Sequence, residues 1–275
     1  MRCPFCGYNL NEKLIYLVKS QISDKAVRYG VCSKCRSLLQ LDKPDFDEIT
    51  AYYENYLSIK EKMNPGYLNQ KDTAPFFKER DKTLSEINFD MNRIIDGRSV
   101  EVGCANGDFL NYLYYKGGRN ITGIDVSHSL TKSIDNNKFR VICGDLSQIE
   151  SNSIDNLFAF NLIEHLSDPD IFVEHVSRVL VKKGVFVIEI PLSGIISSFF
   201  GSKWRFLMPD EHLSIPSVKA ITYLLKTKGF EKKGSTRFGS GFTTGMINNS
   251  LKRIFDKYAK LFKFGDRGAY LFIKK

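Results

Sequence analysis

The stretch Ser99-Val100-Glu101-Val102-Gly103-Cys104-Ala105-Asn106-Gly107-Asp108-Phe109-Leu110 decides how this chain is read. Val100 and Val102 suit a short buried strand, and a helical pattern begins at Asp108 with no spacer. Gly103 and Gly107, four apart, permit the tight turn between the two elements. A helix starting at about Asp108 aims its unpaired N–H groups and positive dipole end at whatever sits over the loop. In an open parallel α/β sheet such a turn lies beyond the carboxyl end of a strand, the edge at which ligands bind. A dinucleotide fingerprint, G-x-G-x-x-G, would place glycines at 103, 105 and 108. Ala105 and Asp108 stand there instead, so a pyrophosphate cradle fits poorly.

From this turn onward the pattern alternates strand and helix, as an α/β sheet requires. The helix from Phe109 to Tyr115 stops at Gly117-Gly118. Ile121-Thr122-Gly123-Ile124-Asp125 is the second strand. Its closing acid, about 18 residues past the glycine turn, is placed to accept hydrogen bonds from a ribose diol. A third strand, Phe139 to Ile142, ends in Cys143-Gly144-Asp145-Leu146. There an acid can accept from an adenine amino group while Leu146 packs on the ring; each acid equally suits a cap or turn. The fourth strand, near Leu157 to Phe160, runs into Asn161-Leu162-Ile163-Glu164-His165-Leu166-Ser167-Asp168-Pro169. Asp168 caps the next helix and Pro169 opens it. Gly184 closes that helix, and Val185 to Pro191 is the fifth strand. Glu231 to Phe238 and Tyr270 to Ile273 are the last two strands, around a helix from about Gly245 to Phe264. That helix carries Ile247, Leu251, Ile254, Phe255, Tyr258, Leu261 and Phe262 on one side and Lys252, Arg253, Lys257, Lys260 and Lys263 on the remainder. The pattern predicts a core-facing helix, and it also suits an anionic membrane surface.

The succession E-V-G-x-x-x-G, G-I-D-V-S, C-G-D-L, N-L-I-E-H-L-x-D-P and R-V-L-x-x-x-G-x-x-x-x-E-x-P spans about residues 97–192. In order and spacing it resembles the class I S-adenosylmethionine-dependent methyltransferases. The resemblance implies an α/β fold, a Rossmann-like methyltransferase sheet with helices on both faces. It implies that Glu101, Gly103, Cys104 and Gly107 shape the pocket for the methionine end of the cofactor. Asp125 and Val126 would lie at the ribose, Asp145 and Leu146 at the adenine, and Asn161 and Leu162 beside the sulfonium. Two departures stand out: Ala105 replaces the middle glycine of the first motif, narrowing the loop, and Ile154-Asp155-Asn156 replaces a common F-D pair.

Beyond Pro191, glycines and serines interleave with large apolar residues over 193–216, which suits a lid or acceptor wall. Trp204 followed by Pro209-Asp210-Glu211-His212-Leu213-Ser214 resembles a methyltransferase subgroup acting on sugars and other small metabolites. In some of its members a histidine here neighbours the acceptor, so the resemblance makes His212 the first general-base candidate and His165 the second. An imidazole near its reference pKa of about 6.5 suits that task.

Cys3-Pro4-Phe5-Cys6 and Cys32-Ser33-Lys34-Cys35 repeat C-x2-C across 25 intervening residues. Each such turn presents two sulfurs to one point, and four thiolates close a tetrahedral structural zinc shell. Residues 1–41 therefore read as a zinc ribbon. Residues 42–96 read as a helical linker and cofactor cover, with Tyr52, Tyr53 and Tyr56 at helical spacing. Within it, Asn64-Pro65-Gly66 is a turn and a helix runs from Asp72 toward Ile95. Residues 97–275 form the methyltransferase domain. Cys104 and Cys143 read as small buried thiols.

The 275 residues include no apolar run of about 18, so a membrane span is not expected, and the cytoplasm is the expected location. The net charge of +9, from 40 basic against 31 acidic residues, comes from scattered lysines rather than a basic block. The expected partner is a small-molecule or sugar-linked acceptor. The alternative is RNA, read by a zinc-ribbon module in a base methyltransferase. The absence of [DN]-P-P-[YF] at Asn161 to Glu164 argues against methylation of an exocyclic base amine. A catalytically silent zinc-ribbon adaptor is the third reading, disfavoured by the intact cofactor motifs.

Overall fold

A computed structural model of the chain describes residues 1–10, 15–20, 22, 25–63, 73–132, 134 and 137–275. Short strands buried on both faces suffice to build the core, because helices cover each side. A seven-stranded sheet has the order β10-β11-β8-β7-β4-β5-β6. Its parallel strands are β4 (Ser99–Val102), β5 (Ile121–Asp125), β6 (Arg140–Cys143), β7 (Ile154–Phe160) and β8 (Leu180–Pro191). The hairpin pair β10 (Phe230–Phe238) and β11 (Arg267–Lys274) closes one edge, with β11 antiparallel to both neighbours.

Alternate residues of each strand enter opposite cores. Leu157, Ala159, Phe186, Ile188 and Ile190 meet Val173, Val176 and Val179 of α7 (Pro169–Val179) and Ile221, Leu224 and Leu225 of α9 (Val218–Thr227). Phe158, Val185 and Val187 face the other way. They meet α3 (Ala74–Glu86), α4 (Asn92–Asp96) and α5 (Asp108–Tyr115) through Leu84, Ile94, Phe109 and Leu113. The expected Rossmann-like sheet with helices on both faces is what the chain forms.

A second, four-stranded sheet has the order β1-β2-β3-β9, from β1 (Ile15–Lys19), β2 (Ala26–Val31), β3 (Leu38–Gln40) and β9 (Ser214–Ile215). Its first three strands belong to the cysteine-bearing segment and the fourth follows His212. Leu38 pairs with Ile215 and Leu39 with Ser214. Two helices, α1 (Phe46–Glu54) and α2 (Tyr56–Met63), lead away from it. The remaining helices are α6 (His128–Thr131), α8 (Ile195–Phe200) and α10 (Asn249–Leu261).

Several sequence expectations need correction. The single helix toward Ile95 is broken after α3, where Asn88 takes the left-handed conformation at φ +58°, a conformation asparagine tolerates better than most residues. Its expected start at Asp72 and the turn at residues 64–66 lie outside the described residues. Gly184 does not end α7; it lies within β8, which begins at Leu180. Cys104 is buried, but Cys143 is exposed at the end of an outer strand. The last helix does not face the core either. Only Ala259 of α10 is buried, because Asp256 and Lys260 tie its polar side to the body and turn the apolar side outward.

Candidate active site

The glycine turn takes three left-handed residues: Gly103 at φ +74°, Ala105 at +44° and Gly107 at +80°. A side chain at Gly103 would bring its Cβ to 3.1 Å from Leu162 Cδ1, so the turn runs hard against the segment after β7. Asp125, at the end of β5, braces this loop. Its Oδ2 accepts from the Ala105 amide at 2.9 Å and its Oδ1 from the Ser127 amide at 2.9 Å. Burial raises the Asp125 pKa while those amides pull it down. Each carboxylate oxygen keeps a further lone pair for a ligand hydroxyl.

Asp145 is exposed at the end of β6 and accepts from the Ser147 amide at 2.7 Å. Hydrogen bonding from the Ser147 side chain, then from its amide, holds the carboxyl below the usual range. Leu146 is buried beneath it, while Val126 is exposed beside Asp125. Asn161 turns the chain after β7 in the left-handed region, φ +49°, and its amide donates to Glu189 O at 2.7 Å. Glu101 lies buried at the floor, with Oε2 lacking a hydrogen-bond partner among the described residues. Burial pushes its pKa well up, against the pull of the Arg80 charge. A buried, unpartnered carboxyl oxygen, a glycine-lined turn and two acids closing neighbouring strands suit a nucleoside with a polar amino-acid tail.

Past this crevice, a short 3-10 turn, Ile163–His165, brings Glu164 and His165 up to His212. The two imidazoles meet edge to face, ring centres 4.8 Å apart. His212 Nδ1 lies 2.7 Å from Phe206 O, which accepts only if that nitrogen carries the proton; Nε2 is then the basic one. Burial lowers the His212 pKa, and lowers that of His165 further with help from the His212 and Lys60 charges. Glu164 lies opposite: burial pushes its carboxyl up to about 8. Among the described residues, Glu164, His165 and His212 each bring one donor atom within 4.8 Å of the others. A protonated carboxyl beside two neutral imidazoles can relay a proton.

A cavity of about 850 Å3 opens here, lined by Tyr52, Tyr53, His165 and Glu211 together with Val27 and Gln40 of the cysteine-bearing segment. The α1 tyrosines thus contribute both to packing and to the wall. Tyr53 sits edge-on to His165, and Glu54 at the end of α1 reaches the amide of His128. A hollow of about 510 Å3 lies at the opposite edge, where Arg98, Asn120, Arg140 and Ser153 precede or open the strands. It has no part in the glycine turn.

The four cysteines come together as their spacing predicts. Cys3 Sγ and Cys35 Sγ are 3.5 Å apart, and Cys6 Sγ and Cys32 Sγ 3.7 Å. All four sulfurs lie within 4.8 Å of one another. A tetrahedron of ~2.3 Å zinc–sulfur bonds has edges of about 3.8 Å, so the donor set fits that ion. This knuckle is stitched to the His212 segment. Tyr29 Oη donates to His212 O at 2.7 Å, the Gln40 amide to Leu213 O at 2.9 Å, and Ser217 Oγ to Cys35 O.

Sequence reasoning missed Tyr29 in this role, along with Arg80, Glu189 and Arg267. Glu189 is fully buried and bound by both arginines, the Arg80 contact at 2.9 Å. The acid of the E-x-P motif was visible, but nothing near it in sequence announced two cationic partners about 80 and 110 positions away.

The fold is the one shared by S-adenosylmethionine-dependent methyltransferases. A family described as "Methyltransferase domain" matches residues 67–233, more than half of the chain, and the chain belongs to it. It is 28% identical over 138 residues to pavine N-methyltransferase from Thalictrum flavum subsp. glaucum. That match covers 46% of this chain and 38% of the relative, so the chain spans well under half of that curated protein. Among solved structures, magnesium protoporphyrin IX methyltransferase from Synechocystis PCC 6803 superposes with a TM-score of 0.57 at 11% identity, over 84% of this chain and 100% of that one. A SAM-dependent methyltransferase from Archaeoglobus fulgidus gives 0.54 at 16% identity, over 80% and 99%. At these identities the likeness is one of fold.

Proposed function

We propose that this enzyme moves a methyl group from S-adenosylmethionine to a small molecule or sugar-linked metabolite, with His212 as general base. The observation that carries the reading is the state of that imidazole. It is buried, held neutral, and fixed by Phe206 O in the tautomer whose free nitrogen is Nε2. It abuts His165, which lines the cavity. The similarity to pavine N-methyltransferase supports an acceptor of small-molecule size.

In this reading Asp125 and Val126 hold the ribose, Asp145 and Leu146 the adenine, and Asn161 and Leu162 flank the sulfonium. Glu101, Gly103, Cys104 and Gly107 enclose the methionine end. The bound cofactor supplies an electrophilic methyl on a good leaving group, so the protein's work is positioning and exclusion of water. His212 Nε2 would take up the proton that the acceptor atom releases on methylation. His165, neutral and perpendicular, keeps a second cation from forming beside it. Cys3, Cys6, Cys32 and Cys35 would hold a structural zinc ion, and the segment they close contributes Val27 and Gln40 to the cavity wall.

The test is turnover with labelled methyl donor against nucleotide-sugar and RNA pools. Label is expected in the small-molecule fraction, and His212→Gln should lower kcat by about 100-fold or more with donor affinity preserved. Wild-type turnover by His212→Gln refutes the base, and label confined to RNA refutes the acceptor class.

A further inference from the structure

The outer side of α10 is apolar, and nothing among the described residues covers it. Leu251, Ile254, Phe255, Tyr258, Leu261 and Phe262 are each 46–66% exposed. At 100° per residue they fall within one stripe. The opposite side of the same helix faces the protein and is polar. Asp256 accepts from the Ser240 amide at 2.9 Å, Lys252 pairs with Asp256 at 2.7 Å, and Lys260 pairs with Glu86. The helix is therefore inverted relative to an ordinary surface helix, and its orientation is fixed by the Ser240–Asp256 hydrogen bonds and the Lys260–Glu86 ion pair rather than by burial of its apolar stripe.

The stripe continues onto α8. Phe255 touches Phe242, and Phe242 touches Phe200, with ring centres 5.2 and 5.3 Å apart. Next to Phe200, Phe199 is 77% exposed, and Ile195, one turn earlier, is 74% exposed. Contiguous exposed patches of this kind mark interaction surfaces. The patch also has a charged border: Arg253, Lys257 and Lys263 are exposed. Asp256 is the one acidic residue between Met246 and Gly265, and it is turned inward.

We propose that this face rests on an anionic lipid surface, with α10 lying in the membrane plane. Large apolar residues along one side, basic residues along its border and no free acid are the composition that seats a helix at the headgroup boundary. Charge decides against a second copy of the chain. Two-fold pairing of the same face would bring the cationic borders together, whereas anionic headgroups neutralise them. The lipid surface lies at the end of the molecule that holds the crevice: α8 follows the carboxyl end of β8, and Asp266, just past α10, binds Trp204 Nε1 at 3.1 Å. Docking does not depend on which acceptor the enzyme uses.

The test is sedimentation of the full chain with vesicles of equal phosphatidylcholine and phosphatidylglycerol, against vesicles of phosphatidylcholine alone. Binding is expected to the anionic vesicles, at least tenfold weaker to the neutral ones and in 0.5 M salt. Ile254→Ser with Leu261→Ser should abolish it while circular dichroism and Tm stay at wild-type values. Should that pair fold poorly, Arg253→Glu with Lys257→Glu, which removes no apolar contact, is expected to weaken anionic-vesicle binding at least tenfold. Wild-type protein that stays in the supernatant, or either folded variant binding as well as wild type, overturns the proposal. So does a dimer in light scattering that Leu261→Ser dissociates, since the face would then be a self-interface.

Discussion

Ala105 sits at φ +44° where the family motif has glycine, and a Cβ in that region costs about 1–2 kcal/mol. Glycine removes that cost but gains about 0.5–1 kcal/mol of unfolded-state freedom, so Ala105→Gly is expected to stabilise the fold by roughly 0.5–1 kcal/mol. Thermal unfolding should show a Tm higher by about 1–4 °C; a fall would mean that the methyl group packs favourably enough to outweigh the strain. The neighbouring prediction concerns Asp125, which accepts from two amides and keeps lone pairs for a diol. Asp125→Ala removes both functions, and S-adenosylmethionine affinity measured by titration calorimetry should fall at least about tenfold, the loss of a charge-assisted hydrogen bond. Asp125→Asn, which retains one acceptor oxygen, should fall in between. Equal affinity in all three proteins would detach Asp125 from the cofactor.

At the level of elements, the turn Ile163–His165 sets two titrations against each other. His165 and His212 have folded pKa values below the ordinary 6.5, so the fold disfavours their protonation and stability is lost as pH falls below that value. Glu164 runs the other way: its folded value of about 8 exceeds 4.5, so the fold holds a proton and stability is lost as pH rises from about 4.5 to 8. The alkaline loss has a ceiling of roughly 1.4 kcal/mol per pH unit. Glu164→Gln, which cannot ionise, should flatten urea-unfolding stability between pH 6.5 and 8, above the histidine range; an unchanged slope there would mean that the carboxyl is solvated. None of this was legible in the sequence. Most strands and helices from β4 to β8 were, because their motifs couple a hydrophobic period to a local glycine or cap, although Gly184 misled by lying inside β8 and the short α6 gave no such signal. The pairing of β3 with β9 joins residues about 176 positions apart with no local signature, and β9 is two residues long. The α10 stripe misled for a related reason: periodicity states that a helix has an apolar side, while the tertiary contacts of Asp256 with Ser240 and of Lys260 with Glu86 decide where that side points.

Across the whole molecule, the cysteine knuckle and the His212 segment form one mechanical unit. Cys3, Phe5, Cys32 and Cys35 are buried in the same core as Val100, Leu157 and Ile188 of the large sheet. The β3 strand that follows Cys35 pairs with β9, and Tyr29 holds the carbonyl of His212 itself. The glycine turn and Asp125, by contrast, are braced within the parallel sheet, through hydrogen bonds that the knuckle does not supply. Zinc bound by the four cysteines would therefore support the two halves of the site unequally. Removing it leaves four sulfurs crowded within 4.8 Å and no cation to hold them. The fold should lose at least about 3 kcal/mol, a Tm drop of roughly 6–12 °C. Titration of the chelated protein with S-adenosylmethionine below that melting temperature should find donor affinity within a few-fold of the untreated value, while turnover falls with the disordering of His212. Readdition of zinc should restore both Tm and turnover. Parallel loss of donor binding and turnover would show that the knuckle holds the whole sheet rather than the acceptor wall, and an unchanged Tm after complete metal removal would show that the four thiols close without an ion.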